Sequence, residues 1–197
     1  TEVSPEALRA RALEAEDAAR AVAGVTNSEG GSASAGHAVV ALATSHGFAA
    51  AYAGTSHGVY ASVLAGEGSD MQRDYGHHVT RFLTDLDSAE AIGREGGELA
   101  VKRLNPIRLK SGPMPVVFDR RIGGSMVGHL VGAIMGGGIA RRVSFLLDSL
   151  GTQVFKPGIT IMDDPLRKRG LRSRPFDGEG LPTAPHTIIE KGVLTGW

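Results

Sequence analysis

The chain has 197 residues, 42% of them hydrophobic, and carries 21 Lys and Arg against 21 Asp and Glu, for a formal net charge of zero at pH 7. Such a composition suits a soluble globular protein that buries a core, and the charge balance leaves no global field to draw in nucleic acid or an anionic membrane surface. With no cysteine in the chain, disulfides, thiolate metal sites and cysteine nucleophiles are excluded, and a reducing cytoplasm fits.

The first segment, "TEVSPEALRARALEAEDAAR", lacks the apolar core of a signal peptide. Ser4, Pro5 and Glu6 read as a helix start: a hydroxyl cap, a ring tolerated at the first position and an acid favoured by the helix dipole. The helix is expected to run to about Gly24. From Gly36 to about Thr84, "HAVVALAT", "GFAAAYAG", "GVYASVLAGE" and "MQRDYGHHVTRFLT" alternate with Gly, Ser and Asn, which predicts an antiparallel meander. Asp87 with Glu90 fits a capping box that opens a helix through about Leu104, although Gly93, Gly96 and Gly97 each cost it about 1 kcal/mol relative to alanine.

After the break at "NPIRLKSGP", "MPVVFD" (114–119) reads as a buried strand and "SFLLDSLG" as a short helix closed by Gly151. Between them an uncharged run extends from Ile122 to Ala140. Gly124, Gly128, Gly132 and Gly136 recur every four residues there, which on a helix forms one stripe and predicts a groove where another element approaches the backbone. A membrane span fits less well, because "GGG" at 136–138 weakens the last turn and a lone span would be stranded among amphipathic strands. "GITIMDD" reads as a strand, "PLRKRGLRSRPFDGEGLP" as a charged, turn-rich loop, and "HTIIEKGVLTGW" as a hairpin around Glu190–Gly192. The expected class is α+β, a large, mostly antiparallel sheet with inserted helices. A chain that opens on a helix and stops at Trp197 after a strand reads as the middle part of a longer two-domain protein. Residues 1–34 are then a helix and connection from a missing N-terminal α/β domain, and 35–197 an incomplete C-terminal domain.

A zinc-peptidase helix needs two imidazoles one turn apart with a glutamate between them. The glycine-rich run offers only His129, with Ser125 four residues before it and Ala133 four after. His77 and His78 would point to opposite faces of a strand, and His37, His46, His57 and His186 are scattered, so a metal site would have to be assembled across the fold. The cations Arg167, Lys168, Arg169, Arg172 and Arg174 lie between Asp163/Asp164 and Asp177/Glu179. Internal ion pairs that order a long loop are one reading; docking of a peptide or partner protein is a second, and phosphate binding a third. Phosphate-binding-loop, calcium-loop and nucleophile-elbow spacings are absent.

The blocks "VVFDRRIGGSMVGHLVGAIMGG", "GTQVFKPGITIMDDPLRKRGLRSRPFDGEGLPT" and "IIEKGVLTGW" resemble the TldD/PmbA family, described as modulators of DNA gyrase and as peptidases. The likeness covers the chain from about Ala35. It implies an N-terminal α/β domain followed by a large antiparallel domain. In that family TldD-type subunits hold zinc through a helical His-Glu-x-x-x-His motif, and the complex of TldD with TldE hydrolyses unstructured peptides. Laid on the motif, this chain has Gly128 and Ala133 for the two histidines and His129 for the glutamate. The resemblance therefore implies the TldE/PmbA-type subunit: non-catalytic, metal-free, cytoplasmic, with zinc only in a TldD-like partner. Its partners would be that subunit or a second copy of itself, and unfolded peptide, with no direct nucleic acid and no membrane. Arg167, Arg169, Arg172, Arg174 and Asp177 are the candidate peptide or partner contacts. The alternative is a standalone homodimeric binding module without protease activity.

Overall fold

In the computed structural model, which describes residues 3–197, the Ser4 hydroxyl accepts a hydrogen bond from the Ala7 amide (3.2 Å) and caps helix α1 (Pro5–Arg20). The helix stops at Arg20, short of Gly24, and the chain turns directly into strand β1 (Val25–Ala43). β1, β2 (Ala49–Ala65) and β3 (Gln72–Thr80) form an antiparallel meander in that order, and helix α2 (Ala89–Lys102) follows. The cap of α2 is Ser88, whose hydroxyl accepts from the Ala91 amide at 3.1 Å, one residue later than the Asp87 box predicted.

The chain divides into two compact units. One contains everything up to Leu109 together with Arg167–Pro182; the other contains Lys110–Leu166 and Thr183–Trp197. Residue 34 lies inside β1, where Ser34 pairs with Gly58 and Ala35 with His57. The strand begins well before Gly36 because its small Gly, Ser and Ala residues, weak strand formers alone, are held by pairing along the whole of β2.

In the first unit the odd-numbered positions of β2 point one way, as the two-residue period of a strand requires. Val59, Ala61, Val63 and Ala65 are buried with Ala15 and Ala19 of α1 and with Ala89, Ile92 and Ala100 of α2. These are small side chains, and the elements approach closely as a result. A Cβ added at Gly93 would lie 2.0 Å from the Ala15 carbonyl oxygen, and one at Gly76 of β3 would lie 2.0 Å from the Ile92 carbonyl oxygen. The glycines that weaken α2 as an isolated helix are therefore what lets it pack. On the opposite face Tyr60 stacks on Tyr75 (ring centroids 5.6 Å apart), and the Ser62 hydroxyl donates to Glu29 at 2.7 Å.

The second unit holds helices α3 (Arg120–Ile134) and α4 (Gly136–Ala140) and a second antiparallel sheet of β4 (Ile161–Asp163), β5 (His186–Glu190) and β6 (Val193–Leu194). The antiparallel α+β class holds, with the strands divided between two three-stranded sheets. Its core is Leu130, Ile134, Leu146, Ile188, Ile189 and Leu194. The β5–β6 hairpin turns at Lys191 (φ 48°) and Gly192 (φ 89°); two successive positive φ values match the right-handed twist of paired strands.

Three expectations in this unit are corrected. Residues 114–119 form no strand, and Val117 is 95% exposed, because no neighbouring strand pairs with the segment among the described residues. "SFLLDSLG" is a series of turns with Phe145 83% exposed; the Ser144 hydroxyl, which donates to the Ala133 carbonyl (2.6 Å) and accepts from the Leu146 amide (3.0 Å), diverts the chain before a helix can start. The stripe at Gly124, Gly128, Gly132 and Gly136 packs against no other element among the described residues, where a Cβ at any of them would meet nothing within 4 Å. The helix ends at Ile134, and Met135 adopts an extended conformation before the "GGG" segment. No helix among the described residues is long and apolar enough to cross a membrane.

Candidate functional site

Helix α3 is capped by Asp119, whose carboxylate accepts from the Arg121 amide (2.8 Å) and from the Arg121 guanidinium (both contacts 3.1 Å). The guanidinium first, and then the amide, hold the Asp119 carboxyl below its usual range. The helix buries only Leu130 and Ile134, on one edge. Gly128 and His129 are exposed and Ala133 half-buried, so His129 is no core residue. Glycine and alanine offer no donor atom, and one exposed imidazole is not a ligand set for a resident zinc ion. The residues present at these positions do not fit the metal. Of the other histidines, His78 Nδ1 lies 2.9 Å from Asp87 Oδ2, His186 Nδ1 lies 4.0 Å from Asp163 Oδ2, and His57 is buried with Nδ1 unpartnered among the described residues. Among the described residues no three His, Asp or Glu side chains come together to hold a metal ion.

The charged loop is more built. Asp177 Oδ1 accepts from the amides of Glu179 and Leu181, each at 2.9 Å, and its own amide donates to the Leu181 carbonyl at 2.9 Å. The Glu179 amide, then that of Leu181, holds the Asp177 carboxyl below its usual range, and the nearby Arg174 adds to this. Phe176 is buried edge-on against Phe48 and Tyr52, with ring centroids 5.1 and 5.2 Å away. Arg169, in the left-handed region at φ 61°, pairs with Asp85 and lays its guanidinium over the Phe82 ring, 4.8 Å from the centroid. Asp177 and Arg169 thus order the loop. Arg167 is exposed, and its carbonyl accepts from the Gly170 amide (3.1 Å) and the Ser173 hydroxyl (2.7 Å). Arg172 and Arg174 are also exposed.

One anchor of this loop was invisible in the sequence. Arg81, the residue after β3, donates from Nε to the Gly170 carbonyl (3.1 Å) and from Nη2 to the Ser173 carbonyl (3.4 Å). Thr55 in turn donates its hydroxyl to the Arg81 carbonyl at 2.5 Å. Arg81 and Arg169 border a cleft of about 350 Å³ together with His37, Gly54, Thr55 and Phe82. The only hint had been the basic–aromatic pair Arg81–Phe82 at a strand end, which gives no sign of what it faces.

Residues 1–104 match the PmbA/TldA metallopeptidase central domain, and residues 111–197 match the PmbA/TldA metallopeptidase C-terminal domain. The metalloprotease PmbA of Escherichia coli O157:H7 is 40% identical over all 197 residues, which cover 44% of that relative. A Thermotoga maritima protein named as a modulator of a DNA gyrase shares the fold with a TM-score of 0.92 at 23% identity, over 99% of this chain and 45% of that one. TldE from Thermococcus kodakarensis does so with a TM-score of 0.78 at 23% identity, over 100% of this chain and 44% of that one. The chain thus spans less than half the length of the relatives it matches. With two successive domains of the family matched and similarity to a named member along the whole of this chain, the chain belongs to the PmbA/TldD metallopeptidase family.

Proposed function

We propose that this chain is part of a TldE/PmbA-type subunit, non-catalytic and metal-free, of a cytoplasmic TldD/TldE-type metallopeptidase complex that acts on unstructured peptides. What supports the reading is helix α3: it is formed, and it carries Gly128, His129 and Ala133 at the positions that the resemblance sets against the two ligands and the base of the TldD-type zinc motif. An imidazole in the place of the glutamate has no metal-bound water to deprotonate. Peptide is held by backbone pairing to a sheet edge, a mode indifferent to most side chains. One such edge is available on β2: β3 pairs only with His57–Ala65, so Ala49–Ser56 has β1 on one side and, among the described residues, no strand on the other.

The test is a mixing experiment. The chain is inert on an unfolded peptide alone and supports cleavage only with a zinc-loaded TldD-like subunit, with which it coelutes on a sizing column. Chelator-sensitive cleavage by the chain alone, with zinc near one equivalent in the purified protein, overturns the reading. An inert mixture with no complex would instead make it a homodimeric peptide- or protein-binding module.

A further inference from the structure

We infer that the cleft beside Arg81 binds a carboxylate, and that it anchors the C-terminal carboxylate of an extended peptide lying along Ala49–Ser56 of β2, where no strand pairs opposite β1 among the described residues. The inference rests on the peptide-binding reading above and adds to it the group that is recognised.

Arg81 is half-buried, and both of its bonding partners, the Gly170 and Ser173 carbonyls, are neutral. No carboxylate lies within ion-pair distance of it among the described residues, whereas Arg169, across the same cleft, has Asp85. Taking a guanidinium out of water costs free energy that carbonyl dipoles offset only in part, so the position favours an anion. Beyond those two bonds the guanidinium keeps N–H donors on Nη1 and Nη2, which suit a carboxylate.

The cleft leaves room for that anion. A Cβ at Gly54 would lie 2.1 Å from Arg81 Nη1, so the guanidinium sits against the bare backbone of β2 at that point. His37, paired with Thr55 in register, adds a second nitrogen-bearing group to the wall, and Phe82, 47% exposed, supplies an apolar surface for a side chain next to the carboxylate. None of the residues lining the cleft is acidic.

Topology supplies the direction. β3 ends at Thr80, opposite His57, and Arg81 follows where the stretch Ala49–Ser56, paired with β1 alone, meets that end. A peptide running parallel to β2 along this stretch brings its C-terminus, and not its N-terminus, to Arg81. A positively charged N-terminal amine at the same place would be repelled.

Fluorescence anisotropy on the full chain tests this with one short unstructured peptide, N-terminally labelled, in three forms: free C-terminal acid, C-terminal amide, and amide with an aspartate as the last residue. The acid binds about tenfold more tightly than the amide, the ratio a single charge-assisted contact gives. Arg81→Gln removes that advantage. Because Arg81 also holds the loop, His37→Asp serves as the second variant: His37 is exposed, and the added acid repels the peptide acid several-fold while sparing the amide. If the aspartate-ended amide recovers the acid's affinity, the carboxylate site stands, with a side chain as the source of the carboxylate. Equal affinity of acid and amide overturns the anchor alone. Failure of all three forms to bind overturns the anchor and the peptide-binding reading together.

Discussion

Substituting Gly93 with alanine tests the packing of the first unit most directly. Alanine is the better helix former by about 1 kcal/mol, so an isolated α2 would gain stability. In the folded unit the new Cβ would lie 2.0 Å from the Ala15 carbonyl oxygen and 2.8 Å from its carbon, both backbone atoms. Ordinary contact needs about 3.5 Å, so α1 and α2 must separate by more than about 1 Å, and the buried Ala15 and Ala19 lose contacts along that seam. Overpacking of this kind costs about 1–3 kcal/mol, and the backbone clash puts this site at the upper end. The net expectation is a loss of about 2 kcal/mol after the propensity gain. Gly128→Ala is the internal contrast: nothing lies within 4 Å of its Cβ, so helix α3 gains up to about 1 kcal/mol. All three tyrosines, Tyr52, Tyr60 and Tyr75, lie in the first unit and the only tryptophan, Trp197, in the second. Urea titration followed by the tyrosine near-UV circular dichroism and by tryptophan emission therefore reads each unit by its own probe. A Gly93→Ala midpoint at or above wild type would refute the close approach of α1 and α2.

Two predictions concern the charged loop. Asp177 has a folded pKa below its unfolded value, so the stability it confers is full above about pH 4 and is lost as pH falls through the folded value. The midpoint gap between wild type and Asp177→Asn in urea is accordingly largest near neutrality and closes in acid; a gap that widens in acid contradicts the assignment. Arg169→Ala removes the pair with Asp85 and the stack on Phe82, costing the first unit up to about 1 kcal/mol and less at high salt. Arg172→Ala, at an exposed side chain, changes the same midpoint by less than about 0.5 kcal/mol. Equal losses for the two variants would show that Arg169 is no anchor.

Several elements were legible because their signals act within a turn or two. Ser4 and Pro5 start α1, the alternating runs with glycine punctuation make the meander, and Lys191–Gly192 closes the last hairpin. Others failed for want of a partner. "MPVVFD" has the composition of a strand, but a strand exists only where another chain segment completes its hydrogen bonds, and none does so here among the described residues. The loop cations were visible as a cluster, yet only their surroundings separate Arg169, paired and stacked, from Arg172 at the surface.

The sequence alone determined the chemistry at residues 128, 129 and 133, because glycine and alanine have no ligand atoms in any conformation. It equally determined the Ser4 cap of α1 and the last hairpin turn, which depend on neighbours a few residues away. Only the tertiary structure decided which glycines are packed. Those at 93 and 76 lie against backbone from distant segments while Gly124, Gly128 and Gly132 of α3 meet nothing among the described residues, since spacing shows that a groove can form but not whether anything enters it. It also decided the place of Arg81, whose partners at Gly170 and Ser173 are some 90 residues away and so beyond any local pattern.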